Sequence, residues 1–249
     1  MKAWLLGSGG WISTAERATT SILVREGERA LVIDAGTGLH RLVTEPALLA
    51  GAQTLDVVLT HFHLDHVAGL PYLPALERPA TVWGPGEWLY GAPTRELLGP
   101  LLEPPLSPFA ADELGRVREL HEGSQTVARF ALHTRAQPLH VAPTAGIRIE
   151  DALAVATDTG YDEGTAELAA GVAHLLHEAW SSSPAPEGAP WDTTAFGAGR
   201  AAAEAGAQRL TLIHLDPRLA DHEPILRDAQ RAFPRARLGQ DGVEISVTL

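Results

Sequence analysis

The heptapeptide THFHLDH at residues 60–66 constrains this chain more than any other stretch. It brings His61, His63, Asp65 and His66 into six positions, directly after the apolar, β-branched run LDVVL, which is typical of a strand buried on both faces. Side chains two apart in an extended segment point the same way, so His61 and His63 can hold one ion. Asp65 and His66 follow the turn and face a second position, so the run can supply ligands to two metals. A chance cluster in a loop is the alternative, and the preceding strand argues against it.

The absence of cysteine limits the kind of metal site that the chain can build. With no Cys among 249 residues, disulfides and thiolate ligands are excluded, so a metal must be held by imidazole and carboxylate groups. The chain offers 11 histidines for this purpose. Such ligands suit zinc, and manganese and iron are alternatives.

Charge and hydropathy narrow the class of protein. The 19 basic and 31 acidic residues give a net charge of −12, which weighs against a dedicated nucleic-acid binder. No stretch has the uninterrupted apolar length of a membrane span, and the N-terminal MKAWLLGSGG is too short for a signal segment. We therefore expect a soluble, cytoplasmic protein with no membrane partner.

Hydrophobic patterning predicts an α/β chain. The predicted strands are KAWLLGSG, TTSILVRE, ERALVIDAG, LDVVLTH, ATVWG, TVARFALHTR, GIRIE, ALAVATDTG, AHLLHEAW, RLTLIHLDPR and VEISVTL. The predicted helices are GLHRLVTEPALLAG, TTAFGAGRAAAEAGA and DHEPILRDAQRAFP, the last opened by Asp221. Residues 71–125 are rich in proline and glycine, which predicts short helices and long loops around ATVWG.

The HxHxDH motif after a buried strand resembles the metallo-β-lactamase superfamily, and later landmarks follow in order. His140 in QPLHVAPTAGIRI resembles the third-histidine motif, Asp158 in VATDTG the bridging aspartate, and His214 in LTLIHLDPR the histidine of a final His-Phe-Ser-Pro-Arg segment. LLHEAW resembles the His-Glu-Ala-Thr segment of ribonuclease Z and the small cyclic-nucleotide phosphodiesterases. The resemblance implies a four-layer αββα sandwich of two mixed β-sheets flanked by helices, formed as one domain by residues 1–249. Relatives in this branch often dimerise, which predicts a homodimer.

A centre of two zinc ions with seven protein ligands is the main implication of this resemblance. One ion would be held by His61, His63, His140 and Asp158, and the other by Asp65, His66, Asp158 and His214. A hydroxide between the two ions would attack a small phosphodiester, such as a cyclic nucleotide. Asp65 and Asp158 would then belong to the catalytic machinery as well as to the metal site.

Two carboxylates are candidates for supporting roles. Asp34 at the end of VIDAG could hydrogen-bond the far nitrogen of a ligand histidine, although a strand-ending turn aspartate explains it equally well. Glu178 in HEAW could orient a catalytic group, and a buried carboxylate that pairs with an arginine is the alternative.

Two departures from the resemblance bear on the substrate. The phosphodiesterase branch has His-Ser-Thr where this chain reads WDTT, so Asp192 stands in place of a histidine that protonates or stabilises the leaving side. Asp192 is alternatively the N-cap of the alanine-rich helix, and we favour that role. Only 17 residues separate His140 from Asp158, which leaves no room for the arm with which ribonuclease Z holds transfer RNA. Transfer RNA is therefore an unlikely substrate, and a small molecule fits better.

Three other functions compete with a phosphodiesterase. The same metal site could hydrolyse a carboxylic ester or a lactone, whose alkoxide leaves without a strong acid. The protein could also be a non-catalytic metal-binding or sensor protein, although a complete set of seven ligands argues against this. Dinucleotide binding at LLGSGG fails because Ile12 stands at the third glycine position, and we expect the glycines to form a tight bend beside the metal cleft.

Overall fold

The computed structural model describes residues 1–108, 115–183 and 193–248. The strands of these residues form two seven-stranded sheets. The first sheet has the order β14-β1-β2-β3-β4-β5-β6. Its strands are β1 (Lys2–Gly7), β2 (Ser21–Glu26), β3 (Arg29–Ile33), β4 (Leu55–Val58), β5 (Ala80–Gly84), β6 (Arg116–Glu119) and β14 (Val243–Ile245).

The second sheet has the order β13-β12-β11-β10-β9-β8-β7. Its strands are β7 (Gly123–Val127), β8 (Phe130–Gln137), β9 (Thr144–Ile149), β10 (Leu153–Ala156), β11 (His174–Glu178), β12 (Leu210–Ile213) and β13 (Arg237–Leu238). Both sheets are mixed. The pairs from β3 to β6 and from β10 to β13 are parallel, and the remaining pairs are antiparallel.

Six α-helical segments accompany the sheets in the described residues. They are α1 (Arg41–Thr44), α2 (Leu64–Val67), α3 (Thr94–Leu102), α4 (Glu163–Leu168), α5 (Ala195–Glu204) and α6 (Glu223–Gln230). None of the helices in this part of the chain has both the length and the apolar character needed to cross a membrane.

Alternation of apolar residues along the strands creates the layers. Leu23 and Val32 point to the outer face of the first sheet, where they join a buried cluster with the helical segments before and after β4. Their neighbours, such as Ile22 and Ile33, point to the other face and pack between the sheets against residues of the second sheet such as Phe130. A third cluster joins the outer face of the second sheet to α5 and α6. This period of two confirms the predicted αββα sandwich.

Three local predictions are wrong. The helix over GLHRLVTEPALLAG is broken into a 3₁₀ turn, α1 and a second 3₁₀ turn at Pro46–Leu49, because proline lacks the N–H of a helix interior and Glu45 leaves the helical region. Residues 71–125 contain the additional strand β6 and the start of β7, and the predicted strand TVARFALHTR is divided between the paired strands β7 and β8. The cap of α5 is Thr194, whose hydroxyl accepts the N–H of Gly197, and not Asp192. Asp192 itself lies outside the described residues.

The parallel halves of the two sheets bring together the segments that carry the predicted ligands. Asp34 follows β3, the THFHLDH motif follows β4, Asp158 lies just after β10, and His214 follows β12. The carboxyl ends of parallel strands lie at the same edge of a sheet, which is where ligands bind in open α/β sheets. In a sandwich of two such sheets the two edges meet, and the motifs converge on one cleft.

Candidate metal centre

Three of the strand-ending residues have a left-handed backbone. The φ angles are 58° at Asp34, 51° at Asp158 and 50° at His214. This conformation is uncommon for residues other than glycine and costs on the order of 1–3 kcal/mol at each position. The positive φ angle turns each of these side chains away from the direction of its strand. All three residues are buried at the edge of the sheets.

Two groups of metal-ligating side chains meet in the cleft. The ligand atoms of each group all lie within 4.8 Å of one another. We call the first the histidine-rich group, which is His61, His63, His140 and Asp158. The second, the carboxylate-histidine group, is Asp65, His66 and His214. The structure therefore brings all seven predicted ligands together.

The carboxylate of Asp158 lies between the two groups. Its Oδ1 is 3.7 Å from Nε2 of His61 and 3.5 Å from Nε2 of His140. Its Oδ2 is 3.1 Å from Nε2 of His66 and 3.3 Å from Nε2 of His214. Each oxygen faces a different group, so this one carboxylate could supply a ligand atom to each group.

Asp65 supplies the carboxylate of the carboxylate-histidine group. Its Oδ2 lies 3.3 Å from Nε2 of His214 and 3.5 Å from Nε2 of His66. The same oxygen accepts the backbone N–H of Trp11 at 2.6 Å. This bond fixes the carboxylate and ties the N-terminal loop to the centre.

The unpaired ring nitrogens of the histidines and the distances between the ligand atoms both fit a bound metal. Nε2 of His61, Nε2 of His66 and both ring nitrogens of His140 are buried and have no hydrogen-bond partner among the described residues. Buried polar atoms are normally paired, so such a cluster needs another partner. Two ligands at about 2.1 Å from one ion in tetrahedral geometry lie roughly 3.4 Å apart, close to the distances around Asp158. Imidazole and carboxylate donors suit a divalent transition metal.

Asp34 orients two of the imidazoles. Its Oδ2 lies 2.8 Å from Nδ1 of His66. The hydroxyl of Thr60 donates to Asp34 at 2.9 Å and therefore accepts from Nδ1 of His61, also at 2.9 Å. In their neutral forms, which are the ones that bind a metal, both histidines then carry their proton on Nδ1 and turn the lone pair of Nε2 towards the cleft. The sequence suggested Asp34 but not Thr60, although Thr60 directly precedes the first histidine.

Glu178 lies against the final histidine. Its Oε2 accepts the backbone N–H of Thr159 at 2.7 Å, and its Oε1 is 3.6 Å from Nδ1 of His214. Burial raises the pKa of the Glu178 carboxyl to about 7, and the contact with His214 opposes that shift. The described residues place no arginine against this carboxylate, so the alternative of an arginine pair is not seen in this part of the chain, and the orienting role stays a prediction.

The electrostatics of the cleft favour anionic carboxylates beside imidazoles. Burial alone would raise the pKa of Asp158, but the charges of His214 and His66 outweigh it and hold that pKa well below its usual range. The pKa of Asp65 is lowered in the same way, mainly by His66. Burial lowers the pKa of His61 well below its ordinary value, which keeps this imidazole neutral and able to bind a cation.

The glycine-rich bend after β1 forms one wall of the centre, as expected. A Cβ at Gly10 would lie 2.5–2.7 Å from ring atoms of His214. The N–H of Gly10 donates to the carbonyl of Leu215 at 3.1 Å, which holds the bend against the strand end. Only glycine permits so close an approach to the imidazole.

The comparisons with known proteins agree with this centre. The family model of the metallo-beta-lactamase superfamily matches residues 14–148. A ribonuclease Z from Halorubrum lacusprofundi is 28% identical over 308 alignment positions, which cover 99% of this chain and 97% of the relative. A ribonuclease Z from Mycobacterium bovis is 32% identical over 198 positions, which cover 70% and 68%. The metallo-beta-lactamase fold protein YhfI of Bacillus subtilis has a TM-score of 0.81 at 20% identity, with 98% of each chain covered.

The chain belongs to the metallo-beta-lactamase superfamily. The predicted family and fold are confirmed, and so is the prediction of a metal-dependent hydrolase that acts on ester bonds. The relatives' name, ribonuclease Z, weighs against the prediction that transfer RNA is an unlikely substrate. Number and identity of the metals, and the roles of the individual site residues, stay predictions.

Proposed function

We propose that this protein is a dinuclear metal-dependent phosphodiesterase that hydrolyses small substrates. The observation that carries the proposal is the carboxylate of Asp158, whose two oxygens face the two different ligand groups. A centre for a single ion would need no carboxylate between two sets of imidazoles.

The seven predicted ligands would hold the two ions, with Asp158 shared. Two divalent cations, zinc with manganese or iron as alternatives, would supply Lewis acidity towards the ester oxygens and lower the pKa of a coordinated water. The chain itself supplies orientation: Asp34 and Thr60 set the tautomers of His61 and His66, and Glu178 positions His214.

The short connection from His140 to Asp158 supports a small substrate. Residues 144–149 form β9 and residues 153–156 form β10, so nearly the whole segment is used by the sheet. The alignment with the Halorubrum ribonuclease Z is longer than this chain, so the relative has residues that this chain lacks. A net charge of −12 also opposes long-range attraction to a polyanion.

Cleavage of RNA is the second candidate, and the ribonuclease Z relatives are the observation that favours it. A carboxylic ester or lactone hydrolase on the same centre is a further candidate, because Asp192 replaces the histidine that would assist a leaving alkoxide.

The test is to assay one metal-loaded preparation against all three substrate classes. We expect close to two transition-metal ions per chain by elemental analysis and hydrolysis of bis-p-nitrophenyl phosphate. Activity only on a transfer RNA precursor or only on lactones would replace the proposal by the corresponding candidate. Inertness towards all three classes would favour a metal-binding sensor, and an Asp65→Ala preparation gives the background rate.

A further inference from the structure

Exposed apolar side chains surround the candidate metal centre. Leu64, between two predicted ligands, is 67% exposed, and Val141, which follows His140, is 75% exposed. Trp11 is 56% exposed and Ile12 is 46% exposed, in the bend that packs on His214. Isolated apolar residues are common on protein surfaces, but a group of them around a cleft is typical of a ligand-binding site.

Trp11 has a strained backbone and is fixed beside the metal cleft by hydrogen bonds. Its φ angle is 62°, a conformation that bulky residues rarely adopt. Its N–H binds Asp65, and the N–H of Ile12 donates to the carbonyl of Gly10 at 2.8 Å. No burial of the indole explains this arrangement, because most of the side chain is open to solvent. Strain of this kind is typically kept at functional sites.

A second tryptophan lies on the same side of the centre. The Trp180 ring centroid is 5.6 Å from that of His214. Trp180 occupies the position of the threonine in the His-Glu-Ala-Thr segment that LLHEAW resembles. The guanidinium carbon of Arg218 lies 5.2 Å from the centroid of the Trp11 ring and 5.8 Å from that of Trp180. We call Trp11, Trp180 and Arg218 the aromatic subsite.

The charge of Arg218 is already paired within the chain. Its Nε donates to Oδ1 of Asp216 at 2.9 Å, and its Nη2 donates to Oδ2 at 2.7 Å. This fork fixes the guanidinium beside the two indoles. Because Asp216 balances the charge of this guanidinium, two indoles and a paired cation suit a planar aromatic ring better than a second phosphate.

We infer that the aromatic subsite binds a planar aromatic group carried by the substrate next to the ester that is cut. This inference rests on the proposed function and names its substrate class: phosphodiesters whose non-departing group is an aryl ring or a nucleobase. The subsite adjoins His214 of the carboxylate-histidine group, so the ring would lie beside the reacting centre.

The experiment uses esters that share one leaving group. Methyl, phenyl and thymidine-5′ p-nitrophenyl phosphate all release p-nitrophenolate, so differences in KM report the non-departing group. For the metal-loaded protein we expect a KM about five- to tenfold lower for the phenyl or the thymidine ester than for the methyl ester. The ester that is preferred then identifies an aryl ring or a nucleobase as the group recognised.

The variant that isolates the subsite is Trp11→Ala, which removes the ring but keeps the N–H that binds Asp65. We expect it to abolish the difference in KM between the aromatic esters and the methyl ester, while Trp11→Phe retains that difference. Val243→Ala, an exposed apolar change on the edge strand β14, serves as the matched control. An equal loss for all three esters would mean that Trp11 acts through Asp65, and would overturn the inference.

A binding measurement separates this inference from the proposed function. Titration calorimetry of the metal-loaded protein should give a Kd for phenylphosphonate about five- to tenfold below that for methylphosphonate, and Trp11→Ala should make the two equal. Equal affinities in the unsubstituted protein would overturn the subsite even if the protein hydrolyses phosphodiesters. A clear phenyl preference in a protein inert towards phosphodiesters would support the subsite and reject only the proposed reaction.

Discussion

Oδ2 of Asp34 lies 2.8 Å from Nδ1 of His66, and both side chains are completely buried. The two residues are 32 positions apart, one after β3 and the other in α2. Because this bond holds the imidazole proton on Nδ1, Nε2 of His66 faces Asp158. The arrangement makes Asp34 the support of a predicted metal ligand.

Replacement of Asp34 by asparagine should therefore weaken metal binding. We expect roughly a 10- to 100-fold lower affinity, because the amide neither carries the charge nor reproduces both sets of hydrogen bonds. Competition with a chromophoric chelator measures this loss. Asp151→Asn, in an exposed turn, is the control, and equal affinities for the two variants would contradict the orienting role.

The bridging position of Asp158 leads to a stronger prediction. Asp158→Ala removes an oxygen from each ligand group and leaves a cavity between imidazoles. Activity should be abolished and metal content should fall, as measured by elemental analysis of protein dialysed under identical conditions. A variant that keeps both its metal and its activity would show that the bridging assignment is wrong.

Gly10 offers a steric test of the wall beside His214. Gly10→Ala would place a methyl group 2.5 Å from the imidazole, so the ring or the bend must move. We expect turnover to fall at least tenfold, in line with the sensitivity of reactions to small misplacements. Gly99→Ala in α3 is the matched control, because its Cβ would meet nothing within 4 Å and alanine favours a helix. Equal turnover in both variants would show that the close contact between Gly10 and His214 does not affect the reaction.

Asp192 can be tested although it lies outside the described residues. If it stands in place of a histidine that assists the leaving group, Asp192→His should raise phosphodiester turnover by roughly 100-fold for alkyl leaving groups. The gain should be smaller for p-nitrophenolate, which leaves without protonation. Loss of turnover at unchanged thermal stability would instead mean that Asp192 already acts in catalysis.

Acid sensitivity of the fold should depend on His174, far along β11 from the centre. Its Nδ1 lies 2.7 Å from the carbonyl of Ser246 and its Nε2 lies 2.8 Å from the hydroxyl of Thr211, and burial lowers its pKa to about 4. The unfolded chain takes up a proton near pH 6.5 and the folded chain does not, so stability falls as the pH drops from 6.5 to 4. This histidine should contribute about 3 kcal/mol to that loss.

The His174→Gln variant removes this titrating group. Urea unfolding of wild type and variant between pH 7 and pH 4 should give a smaller decrease in the free energy of unfolding for the variant. Parallel decreases in the two proteins would contradict a neutral His174 in the folded state.

Residues adjacent in the chain made the centre predictable. His61, His63, Asp65 and His66 stay close together because they are near neighbours along the chain. The motif therefore predicts a metal site wherever the fold keeps it at the end of a strand. The alternation in β2 and β3 likewise reports burial on both faces, because side chains point to opposite sides of a strand. The wrong predictions lie where the local sequence pattern is weak: at Pro46, in the segment that forms β6 and β7, and at the start of α5.

What the sequence by itself determined is the set of predicted ligands that the structure brings together, the strand pattern and, through its resemblance, the family. Tertiary structure alone decided which histidine ring nitrogen lies against which carboxylate. It also decided that Thr60 links His61 to Asp34 and that the N–H of Trp11 binds Asp65, which is 54 positions away in the chain. The physical reason is that these contacts depend on how two sheets stack and how strand ends turn. That geometry arises from packing over the whole chain and leaves no periodic trace in the residues that share it.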